Sequence, residues 1–234
     1  MELPTGVKHG RGDLVGLLRQ SLYGLKQAAR VWYFTATEHL KSIGFRISPY
    51  DAGLLIHKSR PVYMTLHVDD CRITGPNQKD IDWVVQQIAT KFEIKEVDNS
   101  KPYLGMKIEK QANRDLAISQ EHYIEELLTE FGMEDCLPRD TPMEKGLWIE
   151  FTPEDDQGLD DGFTPTNYRR GTGSLQYLVT CTRPDIAYAT NYLARFNSRP
   201  NRAAWQVFKR ILRYLKGTKD HGIVYKASEG KEGL

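Results

Sequence analysis

At 234 residues the chain is long enough to bury one large core or two smaller ones, and 40% apolar with 27% charged residues is the balance of a globular protein. A net charge of +1 singles out no class of partner, and no run approaches the ~18 apolar residues of a membrane-spanning helix, so no membrane role is expected. The three cysteines (Cys71, Cys136, Cys181) are odd in number, far apart and without a C-x-x-C spacing, and the six histidines are scattered. This pattern argues against a disulfide frame or a zinc site and for a reducing compartment. With no basic and apolar leader at Met1-Glu2-Leu3-Pro4, an intracellular, non-secreted chain is expected.

Residues 1–14 are Gly-rich, polar and aperiodic, a lead-in. From Val15 to about Leu40 the pattern is helical, with Trp32, Thr35, Ala36 and Leu40 near 3.6-residue spacing after a break at Gly24. Residues 54–56, 62–68 and 71–74 read as strands of an antiparallel meander, with Ser59-Arg60-Pro61 as one turn. Pro76 to Asp80 opens a helix whose apolar stripe is Ile81, Val84, Val85, Ile88 and Phe92. Residues 92–94 and 103–108 are further strand candidates. Ser119 is placed to N-cap a helix carrying Tyr123, Ile124, Leu127, Leu128 and Phe131, which Gly132 closes. The order predicts an α+β fold with an antiparallel sheet rather than repeated βαβ units.

Residues 144–162 hold Glu144, Glu150, Glu154, Asp155, Asp156, Asp160 and Asp161 against a single Lys145, the composition of a solvated linker. A second helical block runs from about Asn167 to Lys216. Its last helix sets Trp205, Phe208, Leu212 and Leu215 on one face and Lys209, Arg213 and Lys216 on another. Between Arg195 and Lys219 there are eight basic residues and no acidic one. Such a stripe suits phosphate contacts, and it equally suits an ordinary solvated helix face.

The residues with most chemistry are Asp69-Asp70, at the turn between two strand-like runs. Two adjacent carboxylates can hold a divalent cation, and two such ions about 3.5–4 Å apart can run an in-line phosphoryl transfer. Turns also favour Asp for backbone reasons, so the pair alone defines no activity. Like charges ~4 Å apart repel by ~4 kcal/mol at an effective dielectric near 20. The pair therefore calls for a cation or a basic partner, and Arg72 is a candidate for the second. A metal-dependent nuclease is disfavoured, because no further acids or histidines are placed to complete its site.

Ser21-Leu22-Tyr23-Gly24-Leu25-Lys26-Gln27 with Ala28-Ala29-Arg30-Val31-Trp32-Tyr33, followed by His67-Val68-Asp69-Asp70, closely resembles the reverse transcriptase of copia-type LTR retrotransposons. The resemblance continues in order through Lys91-Phe92-Glu93-Ile94, Tyr103-Leu104-Gly105-Met106, Phe131-Gly132-Met133, Thr141-Pro142-Met143, Gly173-Ser174-Leu175-Gln176-Tyr177-Leu178, Thr182-Arg183-Pro184-Asp185-Ile186-Ala187 and Lys209-Arg210-Ile211-Leu212-Arg213-Tyr214-Leu215-Lys216-Gly217. It implies a partial right-hand polymerase palm with an antiparallel sheet, then helical thumb and connection regions. The implied divisions are fingers and palm at 1–108, thumb at 109–143, acidic linker at 144–166, and a connection region at 167–234 that leads toward an RNase H domain.

It further implies that Asp69 and Asp70 are the catalytic carboxylates and hold Mg²⁺ or Mn²⁺. Gly24, Lys26 and Gln27 would lie near nucleotide and template, Tyr103, Leu104 and Gly105 would grip the primer, and Lys209, Arg213 and Lys216 would face the duplex or a neighbouring domain. The implied partners are an RNA or DNA template-primer, a dNTP and the rest of a Pol polyprotein with its integrase and RNase H. The parent element would be expected in a cytoplasmic virus-like particle and then the nucleus.

Some positions depart from the family. His67 stands where Tyr is usual, Cys71 and Arg72 stand where Ile or Leu is usual, and Ala29 replaces a common Pro. Arg72 is expected on a strand inside a sheet, where an unpaired guanidinium is costly. The family's third metal-binding Asp lies upstream of the Leu-Tyr-Gly-Leu-Lys-Gln motif, whereas the only acids before Ser21 are Glu2 and Asp13. The chain therefore reads as a fragment, inactive in isolation, with cation binding expected only once the site is completed. The alternative is a non-catalytic retroelement remnant that at most binds nucleic acid.

Overall fold

Gly24 takes φ +90°, which no helix interior accommodates, and the chain enters α1 (Ala28–Ser42) only after it. The computed structural model describes residues 16–19, 21–22, 24–98, 101–150 and 162–227. Residues 16–19 and 21–22 are irregular, so the helix expected from Val15 is confined to the part beyond Gly24. The lead-in and the upstream acids Glu2 and Asp13 lie outside the described residues. The chain divides into two compact units, Met1–Glu96 and Val97–Leu234.

In the first unit, α1 is followed by β1 (Phe45–Ile47), β2 (Leu54–His57), β3 (Tyr63–His67) and β4 (Asp70–Thr74), then α2 (Gln78–Ala89). The strands form an antiparallel sheet in the order β1-β2-β3-β4. Leu55 pairs with Met64, and Met64 with Ile73, so one face of the sheet is apolar. That face meets Leu40 of α1 and Val84 and Ile88 of α2 in a core completed by Phe45 and Val62. β1, only three residues long, carried no readable alternation. The strand expected at 92–94 is absent. Phe92 instead ends the α2 segment, its amide donating to Ile88 (3.1 Å) and its ring set edge-on to Trp32 and His39 at 5.2 and 5.5 Å.

The second unit opens with β5 (Lys107–Lys110) and β6 (Leu116–Ser119), then α3 (Glu121–Glu130), α4 (Pro165–Cys181), a 3-10 turn at Pro184–Ile186, α5 (Ala187–Ala194), α6 (Arg202–Gly217) and β7 (Gly222–Tyr225). The strands join in the order β5-β6-β7, so the chain after α6 returns to the hairpin, a pairing no local pattern announced. Ser119 does not cap α3. It ends β6, and the cap position falls on Gln120, whose side chain instead accepts from the Thr182 hydroxyl at 2.7 Å. The other end of α3 is as expected. Gly132, at φ +61°, lets the amides of Gly132 and Met133 reach the carbonyls of Thr129 and Leu128 (3.1 and 2.8 Å).

The faces of α3, α4, α5 and α6 enclose one core, with Trp205, Phe208, Ile211, Leu212 and Leu215 all buried. Gly171 is a matter of close approach, since a Cβ there would lie 2.4 Å from the Phe208 ring. Residues 144–150 are not the solvated linker expected. Ile149 is in the core with its amide donating to Tyr192 (2.9 Å), and Glu144 pairs with Arg210 at 2.7 Å. Glu154, Asp155, Asp156, Asp160 and Asp161 lie outside the described residues.

Arg183 is buried to 1% exposure and explains the Thr-Arg-Pro-Asp segment. It makes two bonds to Asp185 (3.0 and 2.7 Å) and two to Thr218, on its carbonyl (2.8 Å) and its hydroxyl (2.7 Å). Tyr214 adds a further donor to Asp185 at 2.8 Å. The ends of α4 and α6 are thereby joined through one guanidinium. Removing it strands these acceptors, so Arg183→Ala is expected to cost about 3 kcal/mol, read from the urea midpoint. Burial works against the Asp185 charge, but the bonds from Arg183 and Tyr214 outweigh it and hold the carboxyl below its usual range. An acid so lowered stabilises the fold above its unfolded pKa of ~4 and loses that contribution as pH falls through the folded value. The urea midpoint should therefore fall on acidification below about pH 4, and Asp185→Asn should flatten that limb.

Candidate active site

The β3–β4 hairpin closes through two residues, Val68 and Asp69, with His67 paired to Asp70, Leu66 to Cys71 and Thr65 to Arg72. Alternation sends Met64, Leu66 and Ile73 toward the helices, which puts Thr65, His67, Asp70 and Arg72 on the opposite face. Asp69 and Asp70 are exposed at the tip. Arg72, expected inside the sheet, is half-buried on this open face, so its charge stays in reach of water. Among the described residues it forms no ion pair with Asp69 or Asp70. Desolvation pushes the Cys71 thiol up, and the neighbouring Asp70 carboxylate adds to the rise.

Two exposed carboxylates are hard oxygen donors of the kind Mg²⁺ and Mn²⁺ take, and among the described residues no cation side chain pairs with them. Among the described residues no group of three or more His, Cys, Asp or Glu side chains gathers to enclose a metal, so the pair fits part of a cation's coordination.

Gly24, Lys26 and Gln27 lie exposed where α1 begins, Gln27 being its cap residue. Trp32 lies five residues further along, about 7.5 Å of helix rise, and its indole N–H donates to the Val68 carbonyl at 2.5 Å. The helix thus ties Trp32, and not Gly24, Lys26 or Gln27 themselves, to the carboxylate turn.

Tyr103, Leu104 and Gly105 belong to the second unit. Tyr103 and Met106 exchange backbone bonds of 2.8 and 3.0 Å across a tight turn in which Leu104 and Gly105 take φ +50° and +70°. The strand expected over 103–108 therefore begins only at Lys107. Tyr177 of α4 donates to the Leu104 carbonyl at 2.5 Å, and a Cβ on Gly105 would stand 3.3 Å from the Tyr177 hydroxyl. Burial, then the nearby Cys181, raises the Tyr177 phenol and keeps it a donor.

Lys209, Arg213 and Lys216 are half-buried along α6. Arg213 donates to the Leu137 carbonyl at 2.6 Å and Lys216 to that of Glu134, so these two grip the backbone of the segment before residue 140. An open cavity of about 690 Å³ lies beside them, floored by Met133, Leu147 and Val207, and contains none of the carboxylate-turn residues. Trp32 and Tyr177 are contacts that sequence reasoning missed as such. Both stood inside segments that resembled the family, but helical spacing marked Trp32 only as an apolar position.

Residues 1–145 match the family described as reverse transcriptase (RNA-dependent DNA polymerase), and the chain belongs to that family. Its relatives are copia-type elements. It is 38% identical to the retrovirus-related Pol polyprotein from transposon RE2 of Arabidopsis thaliana over 97% of this chain and 15% of that protein. It is 33% identical to the Pol polyprotein from transposon TNT 1-94 of Nicotiana tabacum over 98% of this chain and 18% of that protein. A putative transposon Ty5-1 protein of Saccharomyces cerevisiae is 29% identical over 96% of this chain and 72% of its own length. The chain thus spans 15–18% of the length of these two plant Pol polyproteins. No solved structure matches it.

Tyr177→Phe removes one hydrogen bond and leaves the ring. It is expected to lower stability by ~1 kcal/mol and to speed hydrogen exchange at the Leu104 and Gly105 amides.

Proposed function

We propose that this chain is the portion of a retrotransposon Pol polymerase that carries the catalytic carboxylate pair, working in template-directed nucleotidyl transfer. The observation that carries the reading is the Asp69-Asp70 turn, exposed at the end of a sheet whose apolar face packs on α1 and α2. On this reading the first unit is palm with the base of the fingers, and the second supplies thumb and connection.

Asp69 and Asp70 would hold Mg²⁺, or Mn²⁺, whose chemistry is to neutralise the triphosphate and activate the primer 3′-hydroxyl. The chain's own groups position the reactants. Gly24 leaves room for the substrate to approach the backbone, since nothing lies within 4 Å of where its Cβ would stand. Lys26 supplies a positive charge for phosphates, Gln27 an amide for the template strand, and the turn at Tyr103, Leu104 and Gly105 a rigid edge for the primer. Partners are a template-primer, a dNTP and the remaining Pol domains, integrase and RNase H among them. Lys209, Arg213 and Lys216 are proposed to face the duplex or a neighbouring domain, Arg213 and Lys216 while also holding backbone carbonyls.

Among the described residues two carboxylates stand at the turn, fewer than a two-ion site uses, so the chain on its own is expected to show no synthesis in primer extension with Mg²⁺ or Mn²⁺. Joined to the upstream segment of a related Pol protein, it should extend primers, and Asp69→Asn or Asp70→Asn should lower the rate by at least ~100-fold. Unchanged rates in both variants would overturn the assignment, and template-dependent synthesis by the chain alone would overturn its expected inactivity. A non-catalytic remnant is the second reading, favoured by Arg72 on the same face as Asp70. It predicts salt-sensitive primer–template binding with no extension even in the joined protein.

A further inference from the structure

We infer that Trp32 is the positioning residue for the carboxylate turn, acting by holding Val68 in a conformation valine does not choose. Val68 has φ +52° in the first position of the two-residue turn. A β-branched side chain there is a backbone outlier, and such conformations persist only where the surroundings over-determine them. Burial of the side chain does not supply that hold, because Val68 is 49% exposed. The indole of Trp32 does. It reaches the Val68 carbonyl from 36 residues away, and it is fixed by its own helix and by the edge-on Phe92 ring at 5.2 Å.

The carbonyl that Trp32 binds belongs to the peptide linking Val68 to Asp69. Fixing that peptide plane fixes the Asp69 nitrogen and Cα, leaving one backbone rotation to aim its Cβ, and Asp70 follows one residue later at the start of β4. A hairpin turn selected for local propensity would place Gly or Asn at this position. Valine held from outside gives a turn whose geometry is set by α1, the helix that Lys26-Gln27 lead into. The consequence for metal binding rests on the proposed role of Asp69 and Asp70. The holding contact itself does not.

The test uses the full chain with Trp32→Phe, Val68→Gly and the double variant. Phenylalanine keeps the ring against Phe92 and loses only the donor. Glycine accepts a positive φ without being held. By NMR, hydrogen exchange at the Asp69 and Asp70 amides should quicken roughly tenfold in Trp32→Phe, and the same change made on Val68→Gly should have an effect below about twofold. Unchanged exchange in Trp32→Phe, or an equal increase in both backgrounds, would mean that Trp32 only packs, and would sink the proposal. Without any variant, the Trp32 indole proton of the wild-type chain should be protected from exchange, and a freely exchanging one has the same negative force. Mn²⁺ affinity, from water-proton relaxation, should weaken by about three- to tenfold in Trp32→Phe if the pair holds the ion. Asp69→Asn and Asp70→Asn test that ion site separately. If neither alters Mn²⁺ binding, the metal reading fails, while the exchange measurements still decide the holding contact.

Discussion

The two-residue turn at Val68 and Asp69 sets the register of β3 against β4, and much else in the first unit depends on that register. With side chains alternating at a period of two, a slip of β4 by one residue would turn Asp70 and Arg72 toward the helices and Cys71 and Ile73 away from them. The core of Leu40, Leu55, Met64, Val84 and Ile88 can close only in the observed register. The same alternation that fills the core delivers a carboxylate and a guanidinium to the open face. Stability and chemistry are two faces of one constraint here.

The second unit is organised by long-range polar contacts laid over an aromatic core. Trp205, Phe208 and Phe131 stack and meet edge to face at 4.9–5.9 Å, and Gly171 lets the Phe208 ring approach α4. Around that core, charged side chains tie down backbone. Arg183 serves the end of α6 and Arg213 and Lys216 serve residues 134–137, while Arg210 pairs with the Glu144 carboxylate. A cation bonded to a carbonyl is strongly placed, because desolvating it without such a partner is costly. The basic character of α6 is thus used in part within the fold.

Where a residue's fate depends on neighbours within four or five positions, it was legible in advance. Gly132 terminating α3, the buried stripes of α2 and α6, and the meander around Asp69-Asp70 all follow from local spacing and turn chemistry. Ser119 and Phe92 were misread because tertiary partners outbid local preference: Ser119 was needed in β6, and Phe92 was drawn in against Trp32 and His39. Arg72 was misread for a different reason. Its strand was known, but which face of the sheet the helices cover was not.

By itself the sequence determined the family, the α+β class, the order of most elements and the location of the carboxylate pair at a turn. These are encoded in contiguous motifs and short periodicities. Tertiary structure alone decided that β7 joins the sheet of β5 and β6, that Arg72 sits on the open face, that α6 spends two of its cations on backbone, and that Trp32 holds Val68. Each of these joins residues separated by 36 to more than 100 positions, or turns on which side of a sheet is covered. Such contacts are set by the packing of whole elements, and a one-dimensional pattern holds no record of them.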